Sequence, residues 1–112
     1  DTTSCLIEMC AKLINEKWID LKKFVYISSS MVYGDFKKKI ADEDHPQNPK
    51  EIYGTMKLSG EIVTRGLCNF YSIPFSIIRP SSSLIFLRLN YLKNLPQACC
   101  LVFILGQQCV CF

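Results

Sequence analysis

The sequence predicts an α/β fold in which parallel strands alternate with helices in a doubly wound sheet. Three observations support this prediction: an amphipathic pattern over residues 4–19, a buried strand at 24–27, and a helix from 48 to about 71 followed by a strand at 75–78. The order helix, strand, loop, helix, strand is typical of a sheet whose parallel strands are joined by helical crossovers. A chain of 112 residues can bury a core, and forms one domain or part of one.

The first helix is predicted from apolar residues at three- and four-residue steps, with charged residues between them and Ser4 as N-cap. The run Phe24 to Ile27 is rich in strand formers and apolar on both faces, which suits a buried parallel strand. Trp18 and Tyr26 are expected to be buried or partly buried aromatics.

The second helix has a strong predicted start. Residues 34–48 are charged and contain glycine and proline, which indicates a loop. Asn48 is the expected N-cap and Pro49 the first helical residue. Apolar residues continue the pattern to about Tyr71. After Ser83 the chain stays apolar, but its pattern predicts no defined element.

Composition excludes several classes of protein. The net charge of +3 comes without a basic stripe, which argues against nucleic-acid binding. Four of the seven cysteines crowd the last 14 residues and none forms a C-x-x-C pair, so no metal site is expected. The odd cysteine count and the lack of a signal peptide predict a reducing, cytoplasmic location. The apolar run Ala98 to Leu105 is too short for a membrane span.

Polar residues follow both predicted strands. Ser28, Ser29 and Ser30 end the first strand, and Arg79-Pro80-Ser81 ends the second, at the edge where open α/β sheets bind ligands. Arg79 itself is expected to be a surface residue.

Tyr53 and Lys57 lie four residues apart at the start of the second helix, so their side chains share a face. Free tyrosine is a poor base at neutral pH, but a nearby ammonium favours the phenolate. Tyr53 could then exchange a proton with a substrate hydroxyl that a strand-end serine holds, while a nicotinamide takes the hydride. Tyr33 is expected to contribute packing rather than chemistry.

Four segments together resemble the NAD-dependent epimerase/dehydratase family. These extended short-chain dehydrogenases/reductases are nucleotide-sugar enzymes and include UDP-glucose 4-epimerase. The resemblance covers roughly residues 1–82. The segments are the active-site strand at 24–34, the loop at 42–49, the catalytic helix at 53–61 and the next strand at 73–81.

The resemblance implies specific roles for the matching residues. It implies Ser29, Tyr53 and Lys57 as catalytic residues, with Lys57 also contacting the nicotinamide ribose. It further implies two sets of contacts and no metal ligand: cofactor contacts from Ser28, Tyr53, Lys57, Pro80 and Ser81, and substrate contacts from Ser29, Ser30 and Ser82. Ser82 stands where many members have asparagine.

The resemblance also implies NAD or NADP as cofactor, a nucleotide-sugar substrate and a homodimer through the catalytic helix, with Ile62 to Phe70 as its apolar surface. The family's Gly-x-Gly-x-x-Gly motif and acidic ribose ligand do not occur among these residues. We therefore expect an incomplete Rossmann-like sheet, the C-terminal half of the cofactor domain. Its predicted boundaries are 1–83, with a divergent, cysteine-rich apolar tail at 84–112.

Three functions remain open at this point. The chain is a catalytic segment of a nucleotide-sugar epimerase, dehydratase or reductase; a non-catalytic binding module or pseudoenzyme; or an inert truncated product. The last two follow from the missing glycine-rich motif.

Overall fold

The computed structural model describes residues 2–37, 42–80, 100–104 and 108–111. Within these residues two α-helices accompany a four-stranded sheet. The helices are α1 (Thr2–Asn15) and α2 (Ile52–Phe70), with a short 3₁₀-helix, η1 (Ser30–Tyr33), between them. The strands are β1 (Lys23–Ile27), β2 (Phe75–Ile78), β3 (Cys100–Ile104) and β4 (Gln108–Cys111).

The sheet has the order β2-β1-β3-β4. Strand β1 is parallel to β2, with Phe24 opposite Phe75 and Ile27 opposite Ile78. It is also parallel to β3, and only the β3–β4 pair is antiparallel. The predicted α/β class with parallel strands is therefore confirmed. Strands β3 and β4 lie in the apolar region after Ser83, where the sequence pattern predicted no element.

The core explains why β1 is apolar from Phe24 to Ile27, after the exposed Lys23. Phe24 and Tyr26 pack under the helices, whereas Val25 and Ile27 lie on the opposite face with Ile78. Both faces of the strand are buried, as expected for a central parallel strand. The cluster under the helices is completed by side chains from α1, α2 and the connecting segments: Leu6, Ile7, Cys10, Leu21, Cys68 and Ile73.

The prediction for Trp18 is wrong, since its side chain is 77% exposed. Helix α1 ends at Asn15, before the predicted residue 19, and Lys17 adopts a positive φ of 61°. This turn ends the helical periodicity before it reaches Trp18. Tyr26, by contrast, is buried as predicted.

Helix α2 starts later than its sequence signal predicts. Its N-cap is Glu51, in extended conformation and without a side-chain cap bond, so Asn48 and Pro49 lie outside the helix. The preceding segment instead packs on Gly34, which has a positive φ of 65° and where a Cβ would meet the Asn48 carbonyl oxygen at 2.0 Å. The Lys50 ammonium also pairs with Asp35. Tertiary contacts thus override the local capping signal.

The loop before α2 closes around a buried histidine. The His45 ring lies with its centroid 5.5 Å from that of Tyr33 and 5.7 Å from that of Phe36. Its Nε2 accepts from the Lys37 backbone N–H at 3.1 Å, which leaves Nδ1 to donate to the Pro46 carbonyl at 3.0 Å. His45 therefore organises the loop and helps to seat Tyr33.

Neither described helix combines the length and apolarity needed to cross a bilayer.

Candidate active site

The ends of β1 and β2 meet, as the parallel pairing requires. The Ser28 N–H donates to the Ile78 carbonyl at 2.7 Å, and the Ser30 N–H donates to the Pro80 carbonyl at 3.2 Å. Pro80 is buried. The serine segment and the Pro80 segment therefore lie side by side at the carboxyl edge of the sheet, where ligands bind in this class of fold. Ser81 and Ser82 lie outside the described residues.

Ser29 is half-buried and caps η1. Its backbone is extended, and its Oγ accepts from the Met31 N–H at 3.2 Å. A hydroxyl that accepts in this way still has its own hydrogen to donate. Ser30 is half-buried at the start of η1. Ser28 is almost fully buried, and its Oγ has no hydrogen-bond partner of ordinary geometry among the described residues.

Tyr53 and Lys57 differ sharply in burial although they share a face of α2. The Tyr53 side chain is 45% exposed, whereas Lys57 is only 2% exposed. The Lys57 Nζ lies 5.9 Å from the centroid of the Tyr53 ring and 5.5 Å from that of Tyr26. It donates to the backbone carbonyl of Ile27, at the end of β1. The ammonium is thus held between the accessible phenol and the strand that leads to the serine segment.

Burial lowers the pKa of Lys57 from 10.5 to about 8, while the negative charge of Glu61 opposes this shift. A desolvated ammonium is unfavourable, which is the physical cause of the lowering. With a pKa of about 8, Lys57 is still mostly protonated at neutral pH. Its one described acceptor, the Ile27 carbonyl, leaves ammonium hydrogens for a further ligand.

Close backbone approach places the first turn of α2 against η1. At Gly54, a Cβ would lie 2.5 Å from the Met31 carbonyl oxygen and 3.0 Å from Pro49 Cβ. A residue with a side chain would push the helix away from η1. The glycine next to Tyr53 therefore allows the phenol to approach the segment that Ser29 caps.

A buried ion pair lies one helical turn beyond Lys57. Glu61 is fully buried, and its two carboxylate oxygens accept from Arg79 Nε at 2.8 Å and Nη2 at 2.7 Å. Arg79 Nη1 donates to the Tyr33 hydroxyl at 2.8 Å and to the Glu43 carbonyl at 3.3 Å. Arg65 contacts the same carboxylate at 3.1 Å from a more exposed position. The expectation that Arg79 is a surface residue is therefore wrong.

The ion pair controls the charge of Glu61. Burial alone would raise the pKa of this carboxyl, but hydrogen bonds from Arg79 and Ser28 and the charges of Arg79 and Arg65 hold the pKa below its usual value. The Ser28 hydroxyl contributes although it lies outside ordinary hydrogen-bond geometry. Glu61 is thus an ionised buried carboxylate.

Sequence reasoning missed Glu61, although a signal existed. Residues that share the Lys57 face of a helix recur at three- and four-residue steps, which places Glu61 beside it. The buried positions of α2 are polar or small, and they are Gly54, Lys57, Gly60, Glu61, Thr64 and Cys68. Four large apolar side chains of the helix are exposed instead: Ile52, Met56, Ile62 and Phe70. A charged residue on the same face of α2 as Lys57 is therefore the sequence signal that points to Glu61.

The described residues contain no cluster of three or more side chains suited to holding a metal ion. The chemistry of the site is instead that of a phenol, an ammonium and hydroxyl groups at a sheet edge.

Comparison with known proteins identifies a family and several related proteins. A family model, the NAD dependent epimerase/dehydratase family, matches residues 2–84. Over 62 residues the chain is 32% identical to dTDP-D-glucose 4,6-dehydratase of Homo sapiens, covering 55% of this chain and 18% of that protein. Over 64 residues it is 38% identical to a putative UDP-glucose 4-epimerase of Methanocaldococcus jannaschii, covering 56% of this chain and 21% of that protein.

A solved structure is similar to this chain over most of its length. UDP-glucuronic acid 4-epimerase from Bacillus cereus in complex with NAD superimposes with a TM-score of 0.60 and 37% identity, over 70% of this chain and 24% of that one. The chain thus spans about a fifth of the length of the curated relatives it matches. The Rossmann-type fold agrees with the prediction from sequence. On the extent of the family match and its agreement with the structure, the chain belongs to the NAD-dependent epimerase/dehydratase family.

Proposed function

We propose that this chain carries the catalytic segment of an NAD-dependent nucleotide-sugar epimerase or dehydratase. One observation carries the proposal: the buried Lys57 ammonium lies between the ring of the accessible Tyr53 and the end of β1, two residues before Ser29. Residues 1–83 would form this segment, in keeping with the extent of the family match.

The residues fit a nicotinamide cofactor. Lys57 retains donors suited to ribose hydroxyls. The buried Ser28 hydroxyl and the buried Pro80 border the same sheet edge. NAD is the cofactor in the solved complex of the Bacillus cereus enzyme. We propose NAD, rather than NADP, for this chain on that ground.

In the proposed chemistry, a sugar carbinol loses a proton to the protein and a hydride to the cofactor. NAD supplies the acceptor for the hydride, that is, the hydrogen and electron pair of the sugar C–H bond. The Tyr53 oxygen takes the proton of the hydroxyl on the same carbon, while the Ser29 hydroxyl donates a hydrogen bond to that oxygen. Lys57 stabilises the negative charge on the phenol oxygen. Tyr53 returns the proton when the carbonyl is reduced again.

The substrate class follows from the relatives rather than from the described residues. The named relatives act on UDP- or dTDP-linked sugars. We propose a nucleotide-linked sugar of this type as the substrate, acted on in the cytoplasm.

We also propose that α2 mediates a homodimer. Its outer face exposes Ile52, Met56, Ile62 and Phe70, and Ile62 is 60% exposed. Large apolar side chains exposed along one helix favour an interaction site there. A second copy would cover it with the same face, since two-fold pairing brings identical patches together.

Calorimetric titration of the chain with NAD tests the cofactor assignment. We expect binding that Lys57→Met weakens at least tenfold and that Lys50→Met, a change of an exposed lysine, leaves unchanged. NADP serves as the comparison ligand. Equal affinity of the wild type and Lys57→Met would contradict the role of Lys57. Binding of NAD without turnover would favour the non-catalytic module. The absence of both binding and turnover would favour the inert product.

A further inference from the structure

One guanidinium joins the elements that carry the proposed catalytic residues. Arg79, just beyond β2, binds Glu61 on α2 through two parallel hydrogen bonds and the Tyr33 hydroxyl at the end of η1 through a third. Helix α2 carries Tyr53 and Lys57, and η1 is capped by Ser29. The relative position of the phenol and the serine therefore depends on contacts that converge on Arg79.

This arrangement exceeds what stability alone requires. Burying a charged pair costs desolvation, and apolar replacements of similar volume are often as stable or more stable. Glu61 and Arg79 could be replaced by packed apolar side chains if they only filled the core. The bidentate geometry does what apolar side chains cannot, because it fixes both distance and orientation between helix and strand.

The carboxylate also acts on Lys57 directly. The charged and titratable groups around this ammonium are Tyr26 on β1, and Tyr53 and Glu61 on α2, with Arg79 beyond Glu61. Glu61 is the one anion in this described set. It opposes the effect of burial on the pKa of Lys57. Without it, the ammonium would face the Arg79 charge alone and lose its proton more readily.

We propose that Glu61 and Arg79 are the positioning pair of this site, which fixes the helix carrying Tyr53 and Lys57 to the segment carrying Ser29 and supports the Lys57 ammonium. Glu61 acts through Lys57, and Arg79 acts through Glu61 and Tyr33. The pair's role in catalysis rests on the proposed function, whereas its effect on Lys57 does not require a cofactor.

The test measures the pKa of Lys57 by NMR titration of its side chain in the cofactor-free chain. We expect Glu61→Gln, which keeps the shape and removes the charge, to lower the Lys57 pKa by about one unit. Arg65→Met is the matched control. Arg65 touches the same carboxylate but is more exposed and is bonded to no other element in the described contacts, so its loss should leave the Lys57 pKa nearly unchanged.

A second measurement reports position rather than charge. Arg79→Lys keeps the charge but loses the bidentate fork. We expect amide hydrogen exchange of Ser30 and Met31 to accelerate roughly tenfold, because η1 loses its anchor at Tyr33. If single variants fail to fold, the double variant Glu61→Met with Arg79→Met replaces the pair by apolar side chains. This double variant should fold, and its Lys57 pKa should still lie below that of the wild type.

An unchanged Lys57 pKa in both Glu61→Gln and the double variant would overturn the proposal. An equal shift in Arg65→Met would overturn it too, because general loss of charge would then explain the effect. Failure of the chain to bind NAD would contradict the proposed function without altering either NMR result. The two proposals therefore fail separately.

Discussion

The Lys57 ammonium donates to the backbone carbonyl of Ile27, so the helix that carries Tyr53 is fixed to the end of the strand that leads to Ser29. The lysine is buried and its hydrocarbon stem lies within the fold. Its charge is thus maintained at a cost in desolvation. A group that lowers stability yet occupies the centre of a site is typical of function rather than of structure.

The desolvation cost of the buried Lys57 ammonium predicts an unusual dependence of stability on pH. With a pKa of about 8 in the folded state and 10.5 when exposed, Lys57 binds fewer protons in the folded state between these values. Its contribution to the free energy of unfolding should therefore rise between about pH 8 and 10.5, by roughly 3 kcal/mol.

Comparison with Lys57→Met isolates this contribution, because Cys68 and Tyr26 titrate oppositely in the same alkaline range. Burial raises the pKa of both. Urea unfolding at pH 7 and pH 10.5 should show the wild type gaining stability relative to Lys57→Met. A gap between the two proteins that does not change with pH would contradict the lowered pKa of Lys57.

The approach of α2 to η1 predicts opposite effects of two glycine substitutions. Gly54→Ala would place a methyl group 2.5 Å from the Met31 carbonyl oxygen, and should destabilise the fold by about 1–3 kcal/mol. Gly66 lies in the same helix with nothing within 4 Å, so Gly66→Ala should stabilise by about 0.5–1 kcal/mol. Thermal unfolding of both variants checks this. Equal effects would mean that the close approach at Gly54 is absent.

The outer face of α2 predicts self-association. Ile62→Glu places a charge in the exposed apolar surface, and should convert a dimer into a monomer in sedimentation equilibrium. Glu51→Gln, an exposed change just before the helix, is the control and should leave the dimer intact. A wild type that stays monomeric at high concentration would argue against the homodimer.

The parts of the fold that the sequence predicted are those in which burial dictates residue type. The run Phe24 to Ile27 is apolar because both faces of β1 are covered. In the half-buried β2, the apolar residues Phe75, Ile77 and Ile78 pack against the same two clusters. Helix α2 starts after the predicted Asn48 because Asn48 packs on Gly34, a contact between residues distant along the chain. Local capping patterns carry no information about such contacts.

The candidate site was predictable only in part, for a related reason. The spacing of Tyr53 and Lys57 is local, and it placed both side chains on one helical face. The pairing of Glu61 with Arg79 spans separate elements and depends on how β2 meets α2. The exposed apolar residues of α2 also make its buried face hard to predict, because apolar periodicity normally marks the buried side of a helix.

The most direct test of the central claim is turnover of UDP- and dTDP-linked sugars with NAD by the wild type, Tyr53→Phe and Tyr71→Phe. Tyr71 caps the far end of α2 and is partly exposed, so its substitution should leave the rate unchanged. Loss of the Tyr53 hydroxyl removes the proton carrier, and we expect at least ~10²-fold slower turnover with NAD affinity retained. A Tyr53→Phe variant that turns over substrate at the wild-type rate would contradict the assignment of Tyr53 as the acid/base.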